Sequence, residues 1–449
     1  MMRLWKRLTV GMCASVLVCA PASAPAYALE PPSDDVDVSS FVPHGGVAPM
    51  VVMEQRSRCA QAGVIPGSDL SHNAPASVLL NIDKLHTIAT GKGAKVGIID
   101  SGVKPSKRLP KVVGLGDQIV HGDGLSDCDN HGTIIAGIIA AQPSEKDGVV
   151  GIAPDVTLYS IRHTSEAFSP KNSEDDPKPL KTMAEDIVAM ANKGMDVVNI
   201  SVTACVPASE ATDVKYLHAA LNYAKKHNTL IVTSVGNVNQ SCRQNPPSVG
   251  RGWDTAETVS YPAYYAPLES IIAVGGTNMM GAPYSSNFNA PYVTVAAPAA
   301  GIVSIDRLGK IVNGVPSQDK GLEPIAGTSF SSAYVTATAA LLKEQHPDWG
   351  SVDIQRQIIY SATPVAGGDG MNWAGFGILN PERALTTSYD LSENPWKQAV
   401  PKPVTIKPTV SNTLAEAAIL AGALALVLMG SVIAYKLSKK KDINNANNR

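Results

Sequence analysis

The sequence predicts an α/β protein with a mostly parallel central sheet, helices on both faces, and one C-terminal transmembrane helix. Three observations predict it. Short runs rich in Val and Ile are apolar on both sides, as strands covered on both faces must be. Helical patterns fall between these runs, and strands alternating with helices imply parallel crossovers. An uncharged apolar stretch of 19 residues, Ala417 to Tyr435, stands near the C-terminus and matches one membrane crossing.

In chain order, Arg3, Lys6 and Arg7 precede an apolar run from Leu8 to Ala20 and then Ala26-Tyr27-Ala28. That order predicts a secretory signal peptide over 1–28. Residues 29–76 are polar and interrupted by proline, and read as an extension that wraps the body. Residues 77–388 hold the alternating pattern. Its expected strands are Lys95–Ile99, Thr157–Ile161, Val197–Ser201, Thr229–Ser234, Ile271–Val274 and Val293–Ala296. Met183–Lys193 and Asp213–His227 are expected helices between them. Two long polar loops, His163 to Lys181 and Asn239 to Glu257, have a length usually tied to function or disorder. A Pro-rich linker, 389–413, carries Pro395, Pro401, Pro403 and Pro408 and reads as a stiff spacer. The span, 414–436, is followed by a tail, 437–449, with Lys439, Lys440 and Lys441. By the positive-inside rule that tail is cytoplasmic and the body is exported.

Composition narrows the function. Hydrophobic residues make up 44% and charged residues 17% of 449 residues, with a formal net charge of −2. No basic stripe points to nucleic acid. Cys13 and Cys19 fall in the signal segment, which leaves Cys59, Cys128, Cys205 and Cys242. An even number in an exported chain reads as two disulfides. Three pairings are possible. Cys59–Cys128 with Cys205–Cys242 is favoured, because the second brackets one segment and the first ties the extension to the body. No C-x-x-C spacing supports a metal site.

Four segments carry candidate chemistry. Val96-Gly97-Ile98-Ile99-Asp100-Ser101-Gly102 is a buried strand ending in an acid, where α/β sheets gather catalytic groups. Asn130-His131-Gly132-Thr133 places a histidine at the start of a helix rich in small residues. Gly327-Thr328-Ser329 opens a long apolar helix whose unpaired N–H groups favour negative charge. Thr233-Ser234-Val235-Gly236-Asn237 puts an amide on a turn after a strand. Singly, each has a bland reading: a turn-capping Asp, a structural His, an N-cap Ser, an ordinary Asn turn.

Together, Ile99-Asp100-Ser101-Gly102, His131-Gly132-Thr133 and Gly327-Thr328-Ser329 resemble the three signature blocks of subtilisin-like serine proteases, in that family's order. The resemblance runs from roughly Leu80 to Thr387. It implies a subtilisin-like fold and peptide hydrolysis by a triad of Asp100, His131 and Ser329, with Asn237 in the oxyanion hole. Ser201, Val202 and Thr203 would pair with substrate, and Ser234, Val235 and Gly236 would form the opposite wall. No metal or organic cofactor is expected, and no acid-rich loop has convincing calcium spacing. An esterase would need a G-x-S-x-G elbow, which is absent.

The signal segment, the Cys-bearing extension, Asp127-Cys128-Asp129-Asn130-His131, the Pro-rich spacer and the single span resemble the mycosins. These are subtilases of mycobacterial type VII secretion systems. That likeness implies an exported protein substrate, contacts with the secretion membrane complex, and a catalytic domain on the periplasmic side of the inner membrane. It equally allows a mainly structural role in that complex. Departures from the wider family are Asn130 before the histidine, Ile134 three residues after it, and Ser201-Val202-Thr203-Ala204 where Ser-Leu-Gly-Gly is usual. Losing both glycines predicts a narrower groove and limited specificity. The extension is too short and irregular for the usual inhibitory prodomain, which predicts that it is retained.

Overall fold

The computed structural model describes residues 29–397, apart from 249, 318–320 and 366–370. The expected signal peptide, the later part of the linker, the span and the tail lie outside the described residues. Among the described residues no helix is long and apolar enough to cross a membrane.

Seven parallel strands form the central sheet: β1 Lys95–Asp100, β2 Val112–Asp117, β3 Thr157–Arg162, β4 Val197–Ile200, β5 Leu230–Ser234, β6 Ile271–Thr277 and β7 Val295–Pro298. Their spatial order is β7-β6-β5-β4-β1-β3-β2, and every pairing is parallel. Side chains alternate across this sheet, so each strand feeds two cores. Val96, Ile98, Val197 and Val232 face one layer, which holds α1 (His131–Ala140) and α4 (Thr328–Gln345). Ile99, Val198, Ile200 and Ile231 face the other, with α2 (Pro179–Asn192) and α3 (Lys215–Lys226). Each fully buried Val, Leu or Ile contributes about 1.5–3 kcal/mol relative to exposure. Gly97 admits α2 closely: a Cβ there would lie 2.7 Å from Met190 Sδ.

Strand β2 was not expected from the sequence. It contains Gly114 and Gly116, shifts register between them, and lies at the sheet edge with mostly half-buried residues. It therefore lacks the continuous apolar run of a covered strand. Gly114 is required sterically, since a Cβ there would come within 2.1 Å of the Asp123 carbonyl oxygen.

The extension wraps the body with little regular structure of its own. Leu29 N donates to Trp253 O (3.1 Å), and Gly45 and Gly46 N donate to Glu185 Oε2 on α2 (2.6 and 3.1 Å). Met53–Gln55 pairs antiparallel with Phe168–Pro170. Gly63 bridges to Gly314, and Ile65 N donates to Asn313 Oδ1 (2.8 Å). The loop His163–Lys181 is thus pinned by the extension. The other long loop is organised by Asn245, whose side chain donates to Thr258 O and Asn289 O and accepts from Glu257 N and Thr258 N.

The start of the expected linker is docked rather than free. Arg356 Nη1 donates to Leu391 O and Ser392 O, Tyr360 Oη donates to Glu393 O, and the Trp396 ring lies 4.2 Å from Arg251 Cζ. The packed body therefore continues past residue 388. The guanidinium–aromatic stack explains this, because Trp396 buries its ring area against a cation and Phe376.

Candidate active site

Strand β1 ends at Asp100, which is 1% exposed. Its Oδ1 accepts from Ser101 N and from His131 Nδ1, both at 2.7 Å. Its carbonyl accepts from His163 N at 2.7 Å, which fixes the strand end from the neighbouring strand. Because Nδ1 faces a carboxylate, the neutral ring carries its proton there and Nε2 keeps the free lone pair. The His131 ring packs 5.3 Å from the ring of Phe330, the residue after Ser329.

His131 opens α1 from an unusual cap. Asn130 is left-handed (φ 65°), and its side chain does not cap the helix. Instead its Nδ2 donates to Ala60 O in the extension (2.8 Å), and its Oδ1 accepts from Arg307 N (3.0 Å). The orphan N–H groups of the first turn are met from elsewhere. Gly132 N donates to Ser101 Oγ (2.9 Å), and Thr133 N donates to Asp127 Oδ2 (2.8 Å). Asp127 also accepts from Ser101 Oγ, Thr133 Oγ1 and Asp129 N at 3.0, 2.6 and 3.0 Å. Asp127 and Ser101 thereby clamp the helix start onto the end of β1. Gly132 makes the close approach possible, since a Cβ there would lie 2.1 Å from Gly102 O. The sequence reading missed this clamp. Its only signal was an acid four residues before the histidine.

The electrostatics follow from this packing. Burial works to lower the His131 pKa, but the Asp100 carboxylate, through charge and hydrogen bond, outweighs it. With smaller help from Asp127 and Glu166, the pKa rises to about 9. The side chain is 33% exposed, so solvent screens part of that effect. Burial pushes Asp127 up to about 6, against the pull of its Thr133 and Ser101 hydrogen bonds and with the repulsion of Asp100.

Ser329 is the second residue of α4 and is 8% exposed. Gly327 before it has φ 147°, a conformation suited to glycine. Ser332 Oγ donates to the Ser329 carbonyl (2.7 Å), and Ser201 Oγ lies 3.5 Å from it. Asn237 follows β5 and accepts from Thr328 N through Oδ1 (3.1 Å). A backbone N–H can only be met by the amide oxygen, so the amide orientation is fixed and Nδ2 is left to donate.

The expected substrate walls are brought side by side, since Ser234 Oγ donates to Ser201 O (3.4 Å). They are unequal. Ser201, Ser234 and Val235 are buried. Val235 uses its N–H on Val274 O and its carbonyl on Ser260 Oγ, and the Gly236 carbonyl accepts from Phe288 N. That segment offers packing surface rather than free ladder groups. Residues 201–203 form no strand among the described residues, and regular pairing begins only at Ala204–Pro207 against Thr258–Tyr261. Thr203 Oγ1 and Cys242 Sγ stand 3.4 and 3.7 Å from where a Gly236 Cβ would sit. The hydroxyl occupies room that a glycine would leave open.

Both cysteine pairs are bonded, Cys59 to Cys128 and Cys205 to Cys242. The first joins the extension to the segment that leads into His131, and the second ties the segment after β4 to the loop after Asn237. Among the described residues no group of three or more His, Cys, Asp or Glu side chains is arranged to hold a metal ion.

Comparison with known proteins fits this architecture. The Subtilase family model matches residues 91–378. Mycosin-1 of Mycolicibacterium smegmatis is 37% identical, over 96% of this chain and 98% of its own. A crystal structure of MycP1 from the ESX-1 type VII secretion system superposes with a TM-score of 0.77 at 38% identity, covering 82% of this chain and 98% of that one. A chain from an intact ESX-5 inner membrane complex gives 0.75 at 31% identity, covering 91% of this chain and all of that one (100%). The chain belongs to the subtilase family of serine proteases and, within it, to the mycosins.

Proposed function

We propose that this mycosin is a membrane-anchored serine endopeptidase of limited specificity, held at a type VII secretion complex by a C-terminal span over 414–436. Asp100, His131 and Ser329 form its triad. The observation that carries the reading is the Asp100–His131 hydrogen bond at the end of a central strand, with the imidazole packed against the first turn of the helix that bears Ser329. Asp100 holds the tautomer and supports the imidazolium without taking the proton. His131 Nε2 takes the Ser329 hydroxyl proton as Oγ attacks the scissile carbonyl. Asn237 Nδ2 and the Ser329 N–H receive the oxyanion, the second aided by the helix N-terminus. His131 then protonates the leaving amine, and water activated by His131 releases the acyl group.

The side chain of Thr203 beside Gly236 supports a restricted groove and processing at few sites. Two disulfides support an oxidising, periplasmic setting for the catalytic domain. The partners assigned are an exported protein substrate and components of the secretion membrane complex. The likeness to a chain of the ESX-5 inner membrane complex supports the second of these. It also favours the companion reading, in which the domain mainly stabilises that complex. A fluorophosphonate probe should label the wild-type chain and spare Ser329→Ala; equal labelling of both removes Ser329 as nucleophile. Secretion that survives Ser329→Ala but fails on gene deletion assigns the dominant role to structure.

A further inference from the structure

A cleft of about 420 Å³ opens beside the Cys59–Cys128 bridge, lined in part by the segment that leads into His131. Its lining is cationic. Lys104, Arg162 and Arg307 contribute to it, and Asp127 is the acid among the described lining residues. Asp127 has no free acceptor for these cations, since four donors already occupy its two oxygens. Arg162 is the unusual member. It stands at the end of β3, in register with Asp100, and is 3% exposed. A guanidinium presents a rigid planar fork of donors suited to a buried anion. Its Nη1 lies 3.6 Å from Asp117 Oδ2, beyond hydrogen-bond range, and Asp117 Oδ1 is taken by Ile119 and Val120 N–H groups. Its Nε and Nη2 are buried and have no hydrogen-bond partner among the described residues. These two nitrogens form the edge of the fork that matches a carboxylate side-on. Phe168, also in the lining, covers a face of the same guanidinium at 4.7 Å from Cζ and leaves that edge uncommitted.

We propose that this cleft is a subsite for an acidic residue of the peptide substrate, whose carboxylate takes the Nε–Nη2 edge of Arg162 within the field of Lys104 and Arg307. The choice of a peptide as occupant rests on the endopeptidase reading. Cys128 lines the cleft three residues before His131, which places the subsite within one bound peptide's reach of the reacting bond. The extension builds one wall through Gln55 and Cys59, so the subsite exists only while the extension is wrapped.

The test uses the full-length chain in detergent, with Ser329→Ala to prevent turnover. Fluorescein-labelled (Ala-Glu)3 and (Ala-Gln)3 peptides are titrated and read by anisotropy. A charge-assisted bidentate contact predicts about tenfold tighter binding of the Glu peptide. That preference should be lost in Arg162→Lys, which keeps the charge without the fork. It should also collapse in Lys104→Ala/Arg307→Ala. That double variant leaves the backbone N–H bonds of both residues to Thr133 and Asn130 intact, so it guards against a folding defect at Arg162. Equal binding of the two peptides, or a preference unchanged in both variants, overturns the proposal and leaves water as the partner of Arg162. Competition by inorganic phosphate without any Glu preference overturns it in favour of a free anion. Fluorophosphonate labelling of the chain with Ser329 intact reports the endopeptidase reading separately.

Discussion

Asp127 offers the sharpest test of how the histidine is held. Two substitutions should behave differently because two opposing terms meet in one side chain. The carboxylate is buried, and its pKa of about 6 against an ordinary 3.8 means that the charged form costs the fold about 3 kcal/mol at neutral pH. The same carboxylate satisfies Thr133 N, Thr133 Oγ1, Ser101 Oγ and Asp129 N. Asp127→Asn removes the buried charge but strands the Thr133 N–H, at a cost of about 1–3 kcal/mol. These changes nearly cancel, so stability at pH 8 should move by no more than about 2 kcal/mol. Asp127→Ala removes the same charge but strands both backbone N–H groups and opens space, so at pH 8 it should be about 1–3 kcal/mol less stable than Asp127→Asn. The sign of the pH dependence is also set. A carboxyl whose folded pKa is raised makes the fold more stable as pH falls through about 6, and that gain should vanish in both variants. Removing the Asp127 charge should also move the His131 ionisation toward lower pH. Thermal melts between pH 5 and 8, with kcat/KM profiles, measure all of this. Indistinguishable Asn and Ala variants, or a wild-type pH slope that persists in both, would refute the clamp.

Three further predictions follow from the same geometry. Activity should rise with pH as His131 loses its proton, with the limb displaced upward from 6.5 toward 9, since only neutral imidazole can act as the base; its contribution to stability is full below pH 6.5 and lost through about 9, and a limb below pH 6 in kcat/KM would contradict the assignment. Asn237→Asp keeps the acceptor for Thr328 N but replaces the donor with a negative charge, so kcat should fall by about 10²–10³ with little change in melting temperature. Cys59→Ala should lower stability by about 2–4 kcal/mol and reduce kcat/KM, because the bridge anchors the segment leading to His131; unchanged melting and activity would exclude that coupling.

Much of the fold was legible because most of the sheet strands are buried along nearly their whole length and are marked by short apolar runs such as Val197–Ile200 and Leu230–Val232. Strand β2 hid because Gly114 and Gly116 answer to a loop carbonyl and to Val47 of the extension, contacts that no local pattern records. Asp100, His131, Ser329 and Asn237 stood out through short strings at element ends, where local sequence and the geometry of the candidate site coincide. Asp127 did not, because its role depends on Ser101 and Thr133 arriving from two different elements. Nor did Arg162, which ends an ordinary strand and is unusual only in the partners it lacks. Pro395 suggested a spacer, but Trp396 next to it finds Arg251 and Phe376, and packing overrides the proline.

The extension's route has a consequence for how it could ever be removed. Its first residues are fastened at Trp253 and Glu185, its middle pairs with Phe168–Pro170, and Cys59 is covalently joined to Cys128. A single cut anywhere between Gly46 and Arg58 would free no fragment outright. The upstream piece would keep its non-covalent moorings, while the downstream piece would stay joined both by the peptide chain and by the bridge. Losing the downstream piece takes a second cut beyond Cys59 together with reduction of the disulfide. Nicking and shedding are therefore separate events, and a processed chain could still carry the wall of the cleft beside Cys128.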